Sequence, residues 1–73
     1  MKVHFKRVYP VGRMKSARYY VAECHFRKFD VIYENWEWIL KEHYKVEHGG
    51  GILLGAYESR KEVTKAILVF AGK

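Results

Sequence analysis

The stretch Ser59–Lys73, SRKEVTKAILVFAGK, decides how the chain is read. Ser59 followed three residues later by Glu62 is a capping box: the serine oxygen accepts from an orphan N–H of the first turn, and the glutamate reaches back to the serine N–H. Val63, Ala66, Ile67 and Phe70 recur at the i, i+3, i+4, i+7 spacing that gathers four apolar side chains on one stripe. Gly72 stands where a helix stops in the left-handed conformation, which a residue without Cβ adopts freely. These signals predict a helix over residues 60–71. A helix this short is marginal alone, so the preceding chain is expected to supply the surface it covers.

That surface reads as a sheet. Over residues 2–9, Val3, Phe5 and Tyr9 alternate with Lys2, His4 and Lys6, the two-residue period of a half-buried strand. Arg7 interrupts the apolar side, as happens at a sheet edge, and Pro10 ends the strand because it has no N–H for a ladder. Residues 11–18 form a charged loop holding Gly12, Arg13, Lys15, Ser16 and Arg18. A second strand runs over 19–27, with Tyr20, Ala22, Cys24 and Phe26 on one face, so Cys24 is expected to be a packed, inert thiol.

Residues 28–35 are open between strand, helix and loop. Beyond them, Trp36, Trp38, Leu40, Tyr44 and Val46 share one parity and polar residues the other, which favours a strand over 36–46 rather than a helix. Glu47-His48-Gly49-Gly50-Gly51 then reads as a turn. A short strand over 52–58 follows, in which Gly55 marks a bulge or a close approach of the helix. The predicted class is therefore α+β: an antiparallel sheet of three to four strands, packed on one side by a single C-terminal helix, in one domain. Tyr20, Phe26, Trp36, Trp38, Leu40, Leu53 and the helix stripe are the expected core.

Composition bounds the function. The chain has 73 residues and a single cysteine, so no internal disulfide can form. There is no signal-peptide pattern and no apolar run of the roughly 20 residues a membrane span needs, so a soluble, cytoplasmic protein is expected. The formal charge is +6 and unevenly spread. Residues 1–28 hold eight lysines and arginines against the single acid Glu23, whereas residues 29–58 hold six acids against Lys41 and Lys45. Such segregation suggests a basic side, unless the fold interleaves the charges.

The sheet face away from the helix is expected to carry Lys2, His4, Lys6, Tyr19, His25, Arg27, Lys41, His43 and Lys45, with Glu23 and Glu37. Cations interspersed with aromatic rings are one physical recipe for binding DNA or RNA, the cations holding phosphates and the rings stacking on bases. Lys6, Arg13, Lys15, Arg18 and Arg27 are the expected phosphate ligands, and Tyr19 is the expected stacking residue. The junction Leu54–Glu62 resembles the strand-to-helix junction of AP2-type and integrase-arm DNA-binding domains, which read DNA with a three-stranded sheet. What it shares with them is what any capped helix after a strand needs, so it assigns no family.

The alternative is a non-enzymatic protein-binding regulator or inhibitor, of the kind phages and mobile elements encode, with homodimerisation through Leu68 and Val69, which lie off the helix stripe. Catalysis is not expected. His4, His25, His43 and His48 show no metal-ligand spacing, and the sequence names no cofactor. His25 and His43 meeting across neighbouring strands would be the one acid–base group conceivable. The HGGG string lacks the nucleophile elbow its lipase counterpart requires.

Overall fold

The computed structural model describes residues 2–9, 12, 16–43 and 51–72. Five strands, β1 (His4–Val8), β2 (Arg18–Cys24), β3 (Arg27–Glu34), β4 (Glu37–Glu42) and β5 (Leu53–Tyr57), precede one helix, α1 (Arg60–Ala71). The strands form a single antiparallel meander in the order β1-β2-β3-β4-β5. The α+β class is as expected, with one strand more than the three to four predicted.

The additional strand is β3, the stretch left open in the sequence. Phe29, Asp30, Val31 and Ile32 are all buried, because the central strand of five is covered on both faces. A strand buried on both sides loses the polar–apolar alternation by which strands are recognised. Tight hairpins that the sequence reading does not predict join β3 to both neighbours. His25 and Phe26 have φ of 52° and 64°, and Asn35 and Trp36 have φ of 49° and 66°. Two central residues of positive φ make the type I′ turn, whose twist matches that of paired strands.

These turns correct the expected core. Phe26 and Trp36 are turn residues, 99% and 84% exposed. Leu53 is also exposed, because the register shift between Leu40 and Lys41 puts Gly55 opposite Leu40 but Leu53 opposite Lys41, on the other face. The bulge thus lies beside Gly55, where a Cβ would come within 2.6 Å of the Tyr57 hydroxyl. Leu40 is fully buried, and Tyr20 and Trp38 pack against the core from its margin. The core itself is Ala22, Cys24, Phe29, Val31 and Leu40 from the sheet with Val63, Ile67 and Ala71 from α1. Cys24 is a buried free thiol within it.

Helix α1 begins as its sequence demands. The Glu62 N–H donates to Ser59 Oγ at 3.1 Å. The Glu62 carboxylate accepts from the Glu58 N–H at 3.2 Å, one residue before the serine the capping box would use. The other end differs from expectation, since Gly72 is right-handed at φ −82°. Its N–H still donates to the Leu68 carbonyl at 3.1 Å. The Arg27 guanidinium, reaching from the start of β3, donates to the carbonyl of Phe70. With a cation joining the Gly72 N–H at the Phe70 carbonyl, the chain needs no left-handed reversal there. No described helix is long and apolar enough to cross a membrane.

Candidate nucleic-acid interface

Strand register sorts the side chains onto two faces. The face opposite α1 carries His4, Lys6, Val8, Tyr19, Val21, Glu23, Lys28, Asp30, Ile32, Glu34, Glu37, Ile39 and Lys41. It is not a basic face. Glu23 lies between His4 and Lys28 in one cross-strand row, and Asp30 between Val21 and Lys41 in the next. The charge blocks that are separate along the chain are interleaved by the meander. Neither is this face simply solvated, for Asp30 is 1% exposed and Ile32 8%. Asp30 Oδ1 lies 2.8 Å from Nδ1 of His43, which follows β4.

The expected phosphate ligands are therefore not gathered on one face. Lys6 and Tyr19 lie opposite α1, Lys6 exposed and Tyr19 half-buried. Arg18 and Arg27 share the parity of Tyr20, Ala22, Phe29 and Val31 and belong to the helix side, which corrects the placement of Arg27 on the opposite face. Arg27 is moreover held by the Phe70 carbonyl, with its guanidinium carbon 5.1 Å from the Phe29 ring centroid. Arg13 and Lys15 lie outside the described residues, as do Pro10 and residues 44–50, where the end of the predicted third strand and most of the glycine turn fall.

A different constellation emerges on the helix side. All the described arginines belong there: Arg7, Arg18 and Arg27 by strand register and Arg60 on α1 itself. α1 buries only part of this face, and a band of half-buried rings borders it. Phe5 meets Tyr20 edge to face at 6.2 Å, Tyr20 lies 5.9 Å from Trp38, and Trp38 lies 4.6 Å from Tyr33. The guanidinium of Arg7 sits 5.5 Å from the Tyr20 centroid and 5.2 Å from that of Tyr9, and that of Arg60 sits 4.5 Å from that of Phe5. A guanidinium stacked on a ring uses its face, which leaves in-plane N–H donors for an oxyanion. No acid lies in the two cross-strand rows that join Arg7 to Gly55 and Arg18 to Tyr57.

Arg7 and Arg60 were missed from the sequence although a signal existed. Arg7 shares its parity with Phe5 and Tyr9, so it had to lie beside aromatic rings if those lay together. Arg60 carries no such signal, since its neighbour Phe5 is fixed only by how α1 crosses the sheet.

The histidines do not pair as considered above. His25 is in the β2–β3 turn beside the Phe26 ring, at 6.1 Å, while His43 contacts Asp30. Among the described residues no group of three or more His, Cys, Asp or Glu is placed to hold a metal. No protein-family model, no curated protein and no solved structure matches the chain.

Proposed function

We propose that this protein binds single-stranded nucleic acid, DNA or RNA, along the arginine–aromatic band beside α1. The observation that carries the proposal is the direct contact of Arg7 with Tyr9 and with Tyr20, in whose cross-strand row no acid lies, and of Arg60 with Phe5. Arginine edges suit phosphates and half-exposed rings suit bases, and the sheet and α1 hold both in place. Arg18, exposed at the start of β2, adds a cation to the same side. Binding here would be non-enzymatic and need no cofactor. The buried thiol of Cys24 suits a reducing, cytoplasmic compartment.

The test is fluorescence anisotropy with short single strands across a salt series. Three arginine–phosphate contacts predict a log–log slope of about −2, from roughly −0.7 per phosphate on a single strand. The pair Arg7→Ala, Arg60→Ala should lower affinity and flatten that slope. Lys6→Ala with Tyr19→Ala, on the opposite face, should change little. Absence of binding to either nucleic acid at low salt, or loss confined to the Lys6/Tyr19 variant, refutes the proposal.

A second reading is favoured by β5. This edge strand, Leu53-Leu54-Gly55-Ala56-Tyr57, has no charged residue or proline to discourage pairing with another strand. Addition of a partner's strand there, from a second copy or a regulated protein, is the corresponding protein-binding mode. The helix contributes less than its sequence suggests, because Leu68 packs against the core and only Val69 is exposed. Light scattering that shows a strict monomer, with Ala56→Lys leaving all association unchanged, counts against it.

A further inference from the structure

Trp36 is placed where a tryptophan is disfavoured twice. Its φ of 66° suits glycine or asparagine, and its indole is 84% exposed. Among the described residues no ring stacks on that indole, and its neighbour Trp38 is the one that joins the aromatic band. Strain that no packing repays points to a use outside the fold.

Beside the indole lies a hollow walled by Ser16, Tyr33, Glu34, Asn35 and Trp36. These residues offer a flat apolar plate, a hydroxyl, an amide and a carboxylate. Glu34 is the register partner of Glu37, so two acids face each other across the ladder next to the turn, an arrangement that costs stability unless a donor lies between them. Tyr33 and its register partner Arg18 lie on the helix side and Glu34 on the opposite side, so the hollow stands at the end of the sheet where the two faces meet.

We infer that this hollow takes an unpaired guanine base of the strand bound along the arginine–aromatic band. Trp36 stacks on the base, Glu34 accepts from its N1–H and exocyclic amino group, and Arg18 holds the adjoining phosphate. A carboxylate only accepts hydrogen bonds. Guanine offers two adjacent donors on its Watson–Crick edge, where the other bases offer one donor group. Reading an unstacked base between an aromatic face and a polar edge is the usual way single strands are recognised. The inference rests on the nucleic-acid reading above, and the experiment separates the two.

The probes are an oligouridine strand and the same strand with one central guanosine or one central adenosine, titrated by anisotropy into the intact chain. The guanosine strand should bind about five- to a hundredfold more tightly than the other two, the range of discrimination that one bidentate base-edge contact supplies. Trp36→Gly should remove that preference while leaving oligouridine affinity and salt slope in place. Its thermal midpoint should not fall, since glycine relaxes the turn, so lost binding cannot be ascribed to unfolding. Glu34→Gln should bring guanosine and adenosine strands within about twofold of each other while stacking persists.

If all strands bind equally and Trp36→Gly changes nothing, the guanine site is refuted and the band stands. If no strand binds, both fall. Equal binding of every strand, with Trp36→Gly abolishing self-association instead, assigns the indole to a protein contact and also overturns the inference.

Discussion

Replacing Phe26 by glycine should make the protein more stable, although it deletes a large apolar side chain. Phe26 is 99% exposed, so its removal uncovers no core and leaves no cavity. Its φ of 64° puts an L-residue in the left-handed region, at a cost of about 1–2 kcal/mol. Glycine removes that cost but loses roughly 0.5–1 kcal/mol to the greater freedom of its unfolded chain. The balance is a gain of about 0.5–1 kcal/mol. For a domain this small that corresponds to a rise in Tm of roughly 2–8 °C. Thermal and urea denaturation followed by circular dichroism would measure it, with an unchanged m-value as the check that the unfolding transition is the same. Phe26→Ala is the control: it removes the ring but keeps the strained φ, so it should stay within about 0.5 kcal/mol of the parent. The difference between the two variants isolates the backbone contribution. A fall of about 1 kcal/mol or more for Phe26→Gly at constant m would mean that the ring packs or the turn is not left-handed.

Ser59→Ala should cost about 1 kcal/mol by removing the acceptor of the Glu62 N–H, with faster amide exchange confined to the first turn of α1. Arg27→Ala, which strips the Phe70 carbonyl of its guanidinium donor and Phe29 of its overlying cation, should lose roughly 1–2 kcal/mol in urea melts. Arg27→Lys should recover only part of this, because a compact ammonium cannot stack on Phe29 as a planar guanidinium does. Asp30→Ala leaves the His43 ring without its carboxylate and should cost about 1–3 kcal/mol. Asp30→Asn keeps an acceptor and should lose less; equal losses would mean that the charge, not the hydrogen bond, matters.

The helix was legible because its start, stripe and cap residues are local features. Ser59, Glu62, Val63 and Ile67 do what their spacing requires. The strands were legible only where one face is exposed, as in β1 and β2. β3 escaped because burial on both faces erases its alternation, and the two hairpin turns escaped because neither contains glycine. Extending the parity of Tyr20 and Cys24 one step further made Phe26 a core residue, when the chain reverses at His25. Asn35 was the available warning, since asparagine tolerates positive φ better than most residues.

For the candidate site the composition was informative and the grouping was not. The excess of cations and rings is plain in the sequence. Yet a face is defined by which strands neighbour one another, and residues 28–35 had to be a strand before Arg18 could be placed beside Tyr33 or Glu23 beside Lys28. One unrecognised strand was enough to turn an expected basic face into a mixed one.

The meander also sets an order of events when the chain is made. Every strand pairs with its predecessor, so each hairpin can close once its second strand emerges, and such local closure favours fast folding. α1 comes last, and it alone supplies Val63, Ile67 and Ala71 to the core. Until those residues dock, the sheet shows water an apolar surface with Phe29, Val31 and Leu40 at its centre. A chain cut between Tyr57 and Arg60 would thus present a sheet without its cover, a ready substrate for chaperones or for aggregation. The helix acts in effect as the seal of the sheet, and its absence is a defect that quality control can recognise.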